Sequence, residues 1–262
     1  MNILQEIANR TRERIEARKK VLPLDELVKK TCSVNTAHDF PFEKALRAED
    51  IAFICEVKRA SPSKGVIAKE FPYIDIAQAY ETAGAAAISV LTEPHYFKGD
   101  DRYLCEIADQ VSIPLLRKDF TVDAYMIYEA KVLGASAVLL ICAMLDKQTL
   151  AEYLAIAHSL GLSALVEAHT EVEVDMALAA GARMIGVNNR NLKTFEVDVT
   201  LSSRLRRMVP QEILFVSESG IHTAKDVEIL RKDSVDAVLV GETLMRASDK
   251  KAALAALRGI GR

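Results

Sequence analysis

The chain has 262 residues, of which 50% are hydrophobic and 27% charged, with a formal net charge of −3. That balance excludes a disordered chain and gives no basic footprint for nucleic acid, while the length allows a large core. The longest apolar run, Ala135 to Leu145, is about half of the roughly 20 residues that a membrane span requires.

The first element in chain order is a helix. Ile3, Leu4, Ile7, Ala8 and Ile15 recur at helical spacing on a charged background. This predicts a helix packed by one face, with the basic residues from Arg10 to Lys20 on its solvated side. The acidic residues Glu6, Glu13 and Glu16, and the lack of an apolar core before a small-residue cleavage site, argue against a targeting peptide. The segment is therefore expected to stay on the mature protein. A second helical stretch, LDELVKK, follows Pro23, and a loop around His38 to Pro41 leads into the first strongly apolar run. Four cysteines, Cys32, Cys55, Cys105 and Cys142, lie far apart with no C-x-x-C pair. They read as reduced, buried thiols of a cytoplasmic protein.

From there short β-rich runs alternate with amphipathic helical segments. The runs are Ile51 to Lys58, Ala86 to Leu91, Ile113 to Lys118, Ala137 to Ile141, Ser163 to Glu167, Met184 to Asn188, Ile213 to Ser219 and Ala237 to Gly241. Between them lie segments such as DIAQAYETAGA, DAYMIYEAKVLGA and DKQTLAEYLAIAHSLG, several ended by glycine where a left-handed cap is expected. Thr170 and Glu173 have the spacing of a capping box. Runs this apolar predict parallel strands covered by helices on both faces. Eight such units fit a closed barrel of about 250 residues better than an open doubly wound sheet. No G-x-G-x-x-G follows the first strand and no G-x-x-x-x-G-K-[ST] occurs, so nucleotide-binding folds lose their main support. The predicted fold is α/β, a (β/α)8 barrel in one domain over residues 1–262, with 1–48 as a helical extension packed on the barrel.

In such barrels the active site gathers at the C-terminal strand ends. Polar residues fall there. Period-two alternation puts Glu56 and Lys58 on one side of the first strand, Lys118 closes the third and Glu167 the fifth. Asn188 and Arg190 share a side of the sixth, and Ser219 closes the seventh. Placing acids and amines in a partly desolvated mouth costs several kcal/mol per ion unless they are paired, which favours a functional set over scattered strand-end charges. For Glu56 and Lys58 alone, a structural ion pair is the alternative.

Two carboxylates and two ammonium groups suit acid–base work on a carbonyl compound. His38, His95, His158, His169 and His222 show no H-x-x-x-H and no neighbouring ligand set, so no metal is expected. A nucleophilic role for Ser219 is not expected, because the G-x-S-x-G turn is missing. Gly220 and Gly241 follow the seventh and eighth strands, where barrels often hold phosphate through backbone N–H groups. The stretch SPSKG after the first strand adds hydroxyls and Lys64.

The segments EVKRASPSKG, TEPHYFKG, LLRKDF, VNNRNL, SESGI and VGETLM, in this order and at these strand ends, closely resemble the indole-3-glycerol phosphate synthase family of tryptophan biosynthesis. The resemblance implies a carboxy-lyase that needs no cofactor. It would close the ring of 1-(2-carboxyphenylamino)-1-deoxyribulose 5-phosphate with loss of carbon dioxide and water. Matched by motif, Lys118 resembles the general acid, with Glu56 orienting it by ion pairing and Glu167 handling protons in the dehydration. Lys58 is similar to the second catalytic lysine. Asn188 would orient groups at the reacting centre, Arg190 would bind the substrate carboxylate and Ser219 the sugar. Ser61, Gly220 and Gly241 would hold the phosphate, while Pro62, Phe97, Phe120 and Leu139 would form the slot for the aryl ring.

Glu242, in the same phosphate loop, stands where a small hydroxyl residue would serve better. Its carboxylate is expected to turn away and leave the contact to backbone N–H groups. The implied partner is a small sugar phosphate, with no nucleic acid and no membrane. The chain would act as a monomer or weak homo-oligomer, alone or in association with other tryptophan-pathway enzymes. The alternatives are a sibling isomerase or lyase barrel, a Schiff-base aldolase using Lys118 or Lys58, and a non-catalytic phosphate-binding module. The siblings lack E-x-K paired with R-K-D-F, and a binding module has no need of two lysine–carboxylate sets.

Overall fold

In the computed structural model, which describes residues 3–34, 39–191 and 194–259, eight parallel strands close into a barrel. They are β1 (Ala52–Val57), β2 (Ala87–Leu91), β3 (Leu115–Lys118), β4 (Ala137–Ile141), β5 (Ser163–Ala168), β6 (Met184–Asn188), β7 (Leu214–Glu218) and β8 (Ala237–Val240). Each pairs with its chain neighbours, and β8 returns to pair with β1. Each predicted run overlies its strand to within two residues at either end. His38, in the loop predicted ahead of the barrel, lies outside the described residues, as does Leu192 of VNNRNL.

Alternation along each strand separates two cores. Outward residues such as Phe53, Cys55, Ile88, Val90, Val138 and Leu140 pack under the surrounding helices. Inward residues begin with a layer of alanines, Ala52, Ala87, Ala137 and Ala237, followed by larger side chains such as Ile54, Leu116, Leu165 and Val216. The small first layer leaves room for Phe42 and Leu46 of a short helix, α3 (Pro41–Leu46), which close the N-terminal end of the barrel. Apart from Arg117, a few buried serines and the polar residues near the C-terminal strand ends, both faces of the strands are thus apolar, as parallel strands under helices require.

The barrel helices are α4 (Tyr73–Thr82), α5 (Asp101–Ala108), α6 (Tyr125–Val132), α7 (Lys147–Ser159), α8 (Glu171–Ala179), α9 (Thr200–Arg206), α10 (Ala224–Lys232), α11 (Glu242–Arg246) and α12 (Lys250–Arg258). Gly134 and Gly181, after α6 and α8, take φ of 87° and 90°, the left-handed caps expected from sequence. At the start of α8, Thr170 accepts a hydrogen bond from the Glu173 N–H at 3.2 Å. The Glu173 carboxylate does not complete the box; it accepts from the backbone N–H of His169 at 2.6 Å. The complete box belongs to Thr223 and Asp226 at the start of α10.

Two expectations are corrected. The first helix, α1 (Ile3–Val21), buries Ile7, Ala8, Thr11 and Ile15, and its basic side is only partly solvated: Arg10, Arg12 and Lys20 are exposed, but Arg14, Arg18 and Lys19 are half-buried in ion pairs. Arg14 binds Asp119 through contacts of 2.8 and 3.0 Å, and Arg18 reaches Asp101 at 2.5 Å and Glu129 at 2.7 Å. Lys19 meets Asp123 at 2.6 Å. The acids come from the loop after β3 and from α5 and α6, far along the chain, so the local pattern of α1 carries no trace of them. The second correction concerns the thiols. All four are free, but only Cys55 and Cys142 are buried; Cys32 ends α2 (Leu24–Cys32) and Cys105 lies in α5, both exposed on outer helix surfaces. Among the described residues no helix is long and apolar enough to cross a membrane.

Candidate active site

The inward parity that fills the barrel also delivers the charges. In β1 the inward positions run Ala52, Ile54 and Glu56, with Lys58 next on that side; β3 contributes Lys118, β5 Glu167, β6 Asn188 and β7 Glu218. Lys118 Nζ lies 3.5 Å from Glu167 Oε2 and 3.4 Å from Glu218 Oε2. Both carboxylates are 2% exposed, so the lysine is their charge partner in a nearly dry setting. Asn188 Nδ2 donates to Glu167 Oε2 at 3.3 Å and fixes its orientation. Asn188 Oδ1 accepts from the backbone N–H of Arg190 at 3.1 Å, while the Arg190 guanidinium donates to the Phe195 carbonyl at 3.1 Å.

Glu56 does not pair with Lys118 as expected. It forms a short hydrogen-bonded ion pair with Lys58, two positions along the same strand face. Lys118 feels Glu56 only through its field. Burial alone would lower the Lys118 pKa, but Glu218, Glu167 and Glu56 outweigh it and hold the ammonium well above its usual value. Glu218 behaves oppositely. Burial, with Glu167 and Glu56 adding to it against the pull of Lys118, pushes its carboxyl up to about 7.

Glu218 is the residue that the sequence reading missed. The signal was present, because Leu214 and Val216 face inward and alternation carries Glu218 to the same side as the two leading residues. Ser219, the residue singled out, has φ of 67° and turns the chain over the mouth, with its carbonyl accepting from Asn189 Nδ2 at 3.0 Å. Gly186 makes room for the missed carboxylate, since a Cβ there would lie 2.4 Å from Glu218 Oε1.

Every sequence-predicted site residue lines one cavity at the C-terminal end of the barrel. The rings of Phe97 and Phe120 stand 5.8 Å apart with planes tilted by 40°, flanking an apolar region that includes Leu139 and Pro62. Ser61, Gly220 and Gly241 bring hydroxyl and backbone groups to the cavity wall. A Cβ at Gly241 would fall 2.3 Å from Glu56 Oε2 and 3.0 Å from Lys58 Nζ, so the absence of a side chain there is what admits the Glu56–Lys58 pair. Glu242 also lines the cavity, but its Oε1 lies 3.1 Å from Arg246 Nε and 3.6 Å from Lys64 Nζ. Despite partial burial, those cations hold its carboxyl below the usual range. The sequence reading also missed Ile3, Leu4 and Ile7 of α1, and Phe195, which line the same cavity.

This set offers a protonated lysine between two buried carboxylates, one of which exchanges its proton near neutrality, beside an apolar slot and a cluster of hydroxyl and backbone groups. Residues 4–257 match the protein-family model described as indole-3-glycerol phosphate synthase. An indole-3-glycerol phosphate synthase of Ruminiclostridium cellulolyticum is 58% identical over 98% of this chain and 99% of its own length. One from Endomicrobium trichonymphae is 54% identical over 94% and 96%. Among solved structures, a mutant tryptophan synthase alpha-subunit from Pyrococcus furiosus superposes with a TM-score of 0.60 at 15% identity, covering 80% of this chain and 98% of that one. A 3-hexulose-6-phosphate synthase gives 0.63 at 13%, covering 81% and 100%, and both likenesses speak to the fold alone.

Proposed function

The chain belongs to the indole-3-glycerol phosphate synthase family, and from that membership we propose how its own residues carry out the reaction. The enzyme is a carboxy-lyase of tryptophan biosynthesis that makes indole-3-glycerol phosphate from 1-(2-carboxyphenylamino)-1-deoxyribulose 5-phosphate. The observation that carries the assignment of roles is Lys118 Nζ, held 3.5 and 3.4 Å from Glu167 and Glu218 in the cavity that also contains the two phenylalanines.

Phosphate binds to the Ser61 hydroxyl and to backbone N–H groups at Gly220 and Gly241. Arg190 takes the substrate carboxylate, and the aryl ring packs beside the touching rings of Phe97 and Phe120, with Leu139 and Pro62 completing the apolar wall. Ser219 contacts the sugar. This orientation presents the ketone oxygen to Lys118. As the ring carbon bearing the carboxylate attacks the carbonyl carbon, Lys118 gives the oxygen a proton. An ammonium kept charged by its neighbours is suited to meet a developing alkoxide. Carbon dioxide then leaves, and the electrons of its bond restore the aromatic ring. In the dehydration the new hydroxyl departs as water after gaining a proton, and the carbon next to nitrogen loses one. Glu167 and Glu218 carry these protons, Glu218 in either direction near neutral pH. Asn188 keeps Glu167 aimed at the reacting centre, and Lys58, tied to Glu56, supplies a second ammonium in the cup. The steps balance in electrons with no external oxidant and no cofactor. We place the enzyme in the cytoplasm, where its four free thiols would stay reduced.

Adding the carboxyphenylamino sugar phosphate to the purified protein should produce indole fluorescence and carbon dioxide in equal amounts. Failure to form either, from a folded sample that binds the substrate, would remove the proposed function.

A further inference from the structure

Beside the active-site cavity lies a second one, lined by Arg12 of α1, His169, Thr170, Glu173 and Arg204 of α9, with Asn188 common to the walls of both. His169 follows β5 directly and is partly exposed into this second cavity. Its Nε2 is buried, makes no hydrogen bond and lies 3.7 Å from Glu167 Oε1. On the other side of the ring, Nδ1 lies 3.8 Å from Glu173 Oε2. Glu173 Oε2 in turn accepts the His169 backbone N–H at 2.6 Å, which fixes the histidine against the start of α8. A line of titratable groups therefore runs from Lys118 through the two oxygens of Glu167 to the imidazole, and on to Glu173 at the second cavity. These gaps exceed a direct hydrogen bond by several tenths of an ångström, a looseness common in catalytic sets before substrate arrives.

The reaction needs such a line. The substrate enters with an ionised carboxylate and loses it as neutral carbon dioxide. The ketone oxygen leaves as water with two added protons, and only one proton is released, from the carbon next to nitrogen. Each turnover thus takes up one proton from solution while the substrate covers Lys118 and Glu167.

We propose that His169 is the proton-relay residue of this enzyme, passing a proton taken up at Nδ1 from the second cavity through Nε2–H to Glu167 Oε1 and so restoring the acid form of the site. No bond other than N–H and O–H is made or broken: Nδ1 gains a proton from water or a buffer acid, Nε2 gives one to Glu167, and the ring ends as the other neutral tautomer. A tautomer flip then resets it. The charged groups against the ring are Glu167 on β5 and Glu173 on α8, while Arg12 of α1, Arg204 of α9, Glu196 and Asp198 line the second cavity that the ring opens into. The proposal rests on the assignment of Glu167 as a proton carrier, and His169 acts through that residue without touching substrate.

The test compares His169→Asn, His169→Gln and Glu167→Gln with the wild-type enzyme. The expected result is a kcat lowered about 5- to 50-fold in both His169 variants, with KM within about twofold. Added imidazole should restore the kcat of these variants in proportion to its concentration, while the wild type does not respond. Either a kcat at the wild-type level or a lowered kcat that imidazole leaves unchanged in both folded variants overturns the relay. Full turnover by Glu167→Gln would instead remove the reading on which it rests. Loss of turnover in Glu167→Gln with normal kcat in both His169 variants would remove the relay alone.

Discussion

Lys118 can serve as an acid because three carboxylates surround it in a dry place, and its contribution is made when negative charge develops on the ketone oxygen. Lys118→Ala is therefore expected to lower kcat by at least about a thousandfold while a non-reacting substrate analogue binds within about tenfold of wild type. Turnover at the wild-type rate would take Lys118 out of the mechanism. Gly241→Ala tests a different dependence, because the added Cβ would lie 2.3 Å from Glu56 Oε2. It should displace the Glu56–Lys58 pair and cut kcat/KM by about a hundredfold, with an unchanged far-ultraviolet spectrum; a fully active variant would show that the pair is dispensable. Most of these residues were legible as polar ends of apolar runs. The partnership among them was not. Alternation says which side chains share a face, but not which of several facing acids reaches a given lysine, and so Glu56 was matched to Lys118 and Glu218 was passed over for the turn residue Ser219.

At the scale of elements, the strands were legible to their ends, because parallel strands under helices need apolar residues on both faces and must break to polar residues where the barrel opens. The docking of α1 was not, since its partners lie on α5, α6 and the loop after β3. Arg14 and Asp119 make the innermost of these contacts, with side chains 11% and 1% exposed, and Asp119 directly follows Lys118. Without Arg14, the buried Asp119 keeps the Thr92 hydroxyl and the Phe120 N–H but has only Arg117, at 3.8 Å, as a cation, so Arg14→Ala should cost about 2–3 kcal/mol in urea unfolding and raise KM. The comparison is Lys29→Ala on α2, whose pair with Asp25 is 3.9 Å long and open to solvent, with side chains 77% and 74% exposed. That change should stay within about 0.5 kcal/mol. Equal effects of the two substitutions would mean that α1 is not held by its ionic face.

At the scale of the whole molecule, two carboxyls, the half-buried Asp101 and the buried Glu218, give stability opposite dependences on pH. Burial opposes ionisation of Asp101, but Arg117 and Arg18 outweigh it and hold its carboxyl below the usual range. That contribution is present above the unfolded-chain value of about 3.9 and is lost as the pH falls through the depressed native value. Glu218, raised mainly by burial to about 7, does the reverse. Its contribution is complete below about 4.3, the value in an unfolded chain, and is lost as the pH rises through the native value. The Glu218 contribution to wild-type stability should therefore decline between pH 5 and 8, and Glu218→Gln should remove that contribution to the slope. Relative to wild type, the variant should gain roughly 2–3 kcal/mol on going from pH 5 to pH 8 in urea unfolding. An unchanged slope would show that Glu218 is ionised throughout that range.

The placement of residues 3–34 and 39–46 constrains any engineering of this scaffold. Ile3, Leu4 and Ile7 roof the substrate chamber, while Phe42 and Leu46 cork the opposite end against a ring of alanines. A chimera that transplanted only the region from Ala52 onward would have an uncorked base and a roofless chamber, with Asp119 stripped of its Arg14 cation beside Lys118. Grafting experiments should carry the leading segment along, or enlarge Ala52, Ala87, Ala137 and Ala237 to refill the space it vacates.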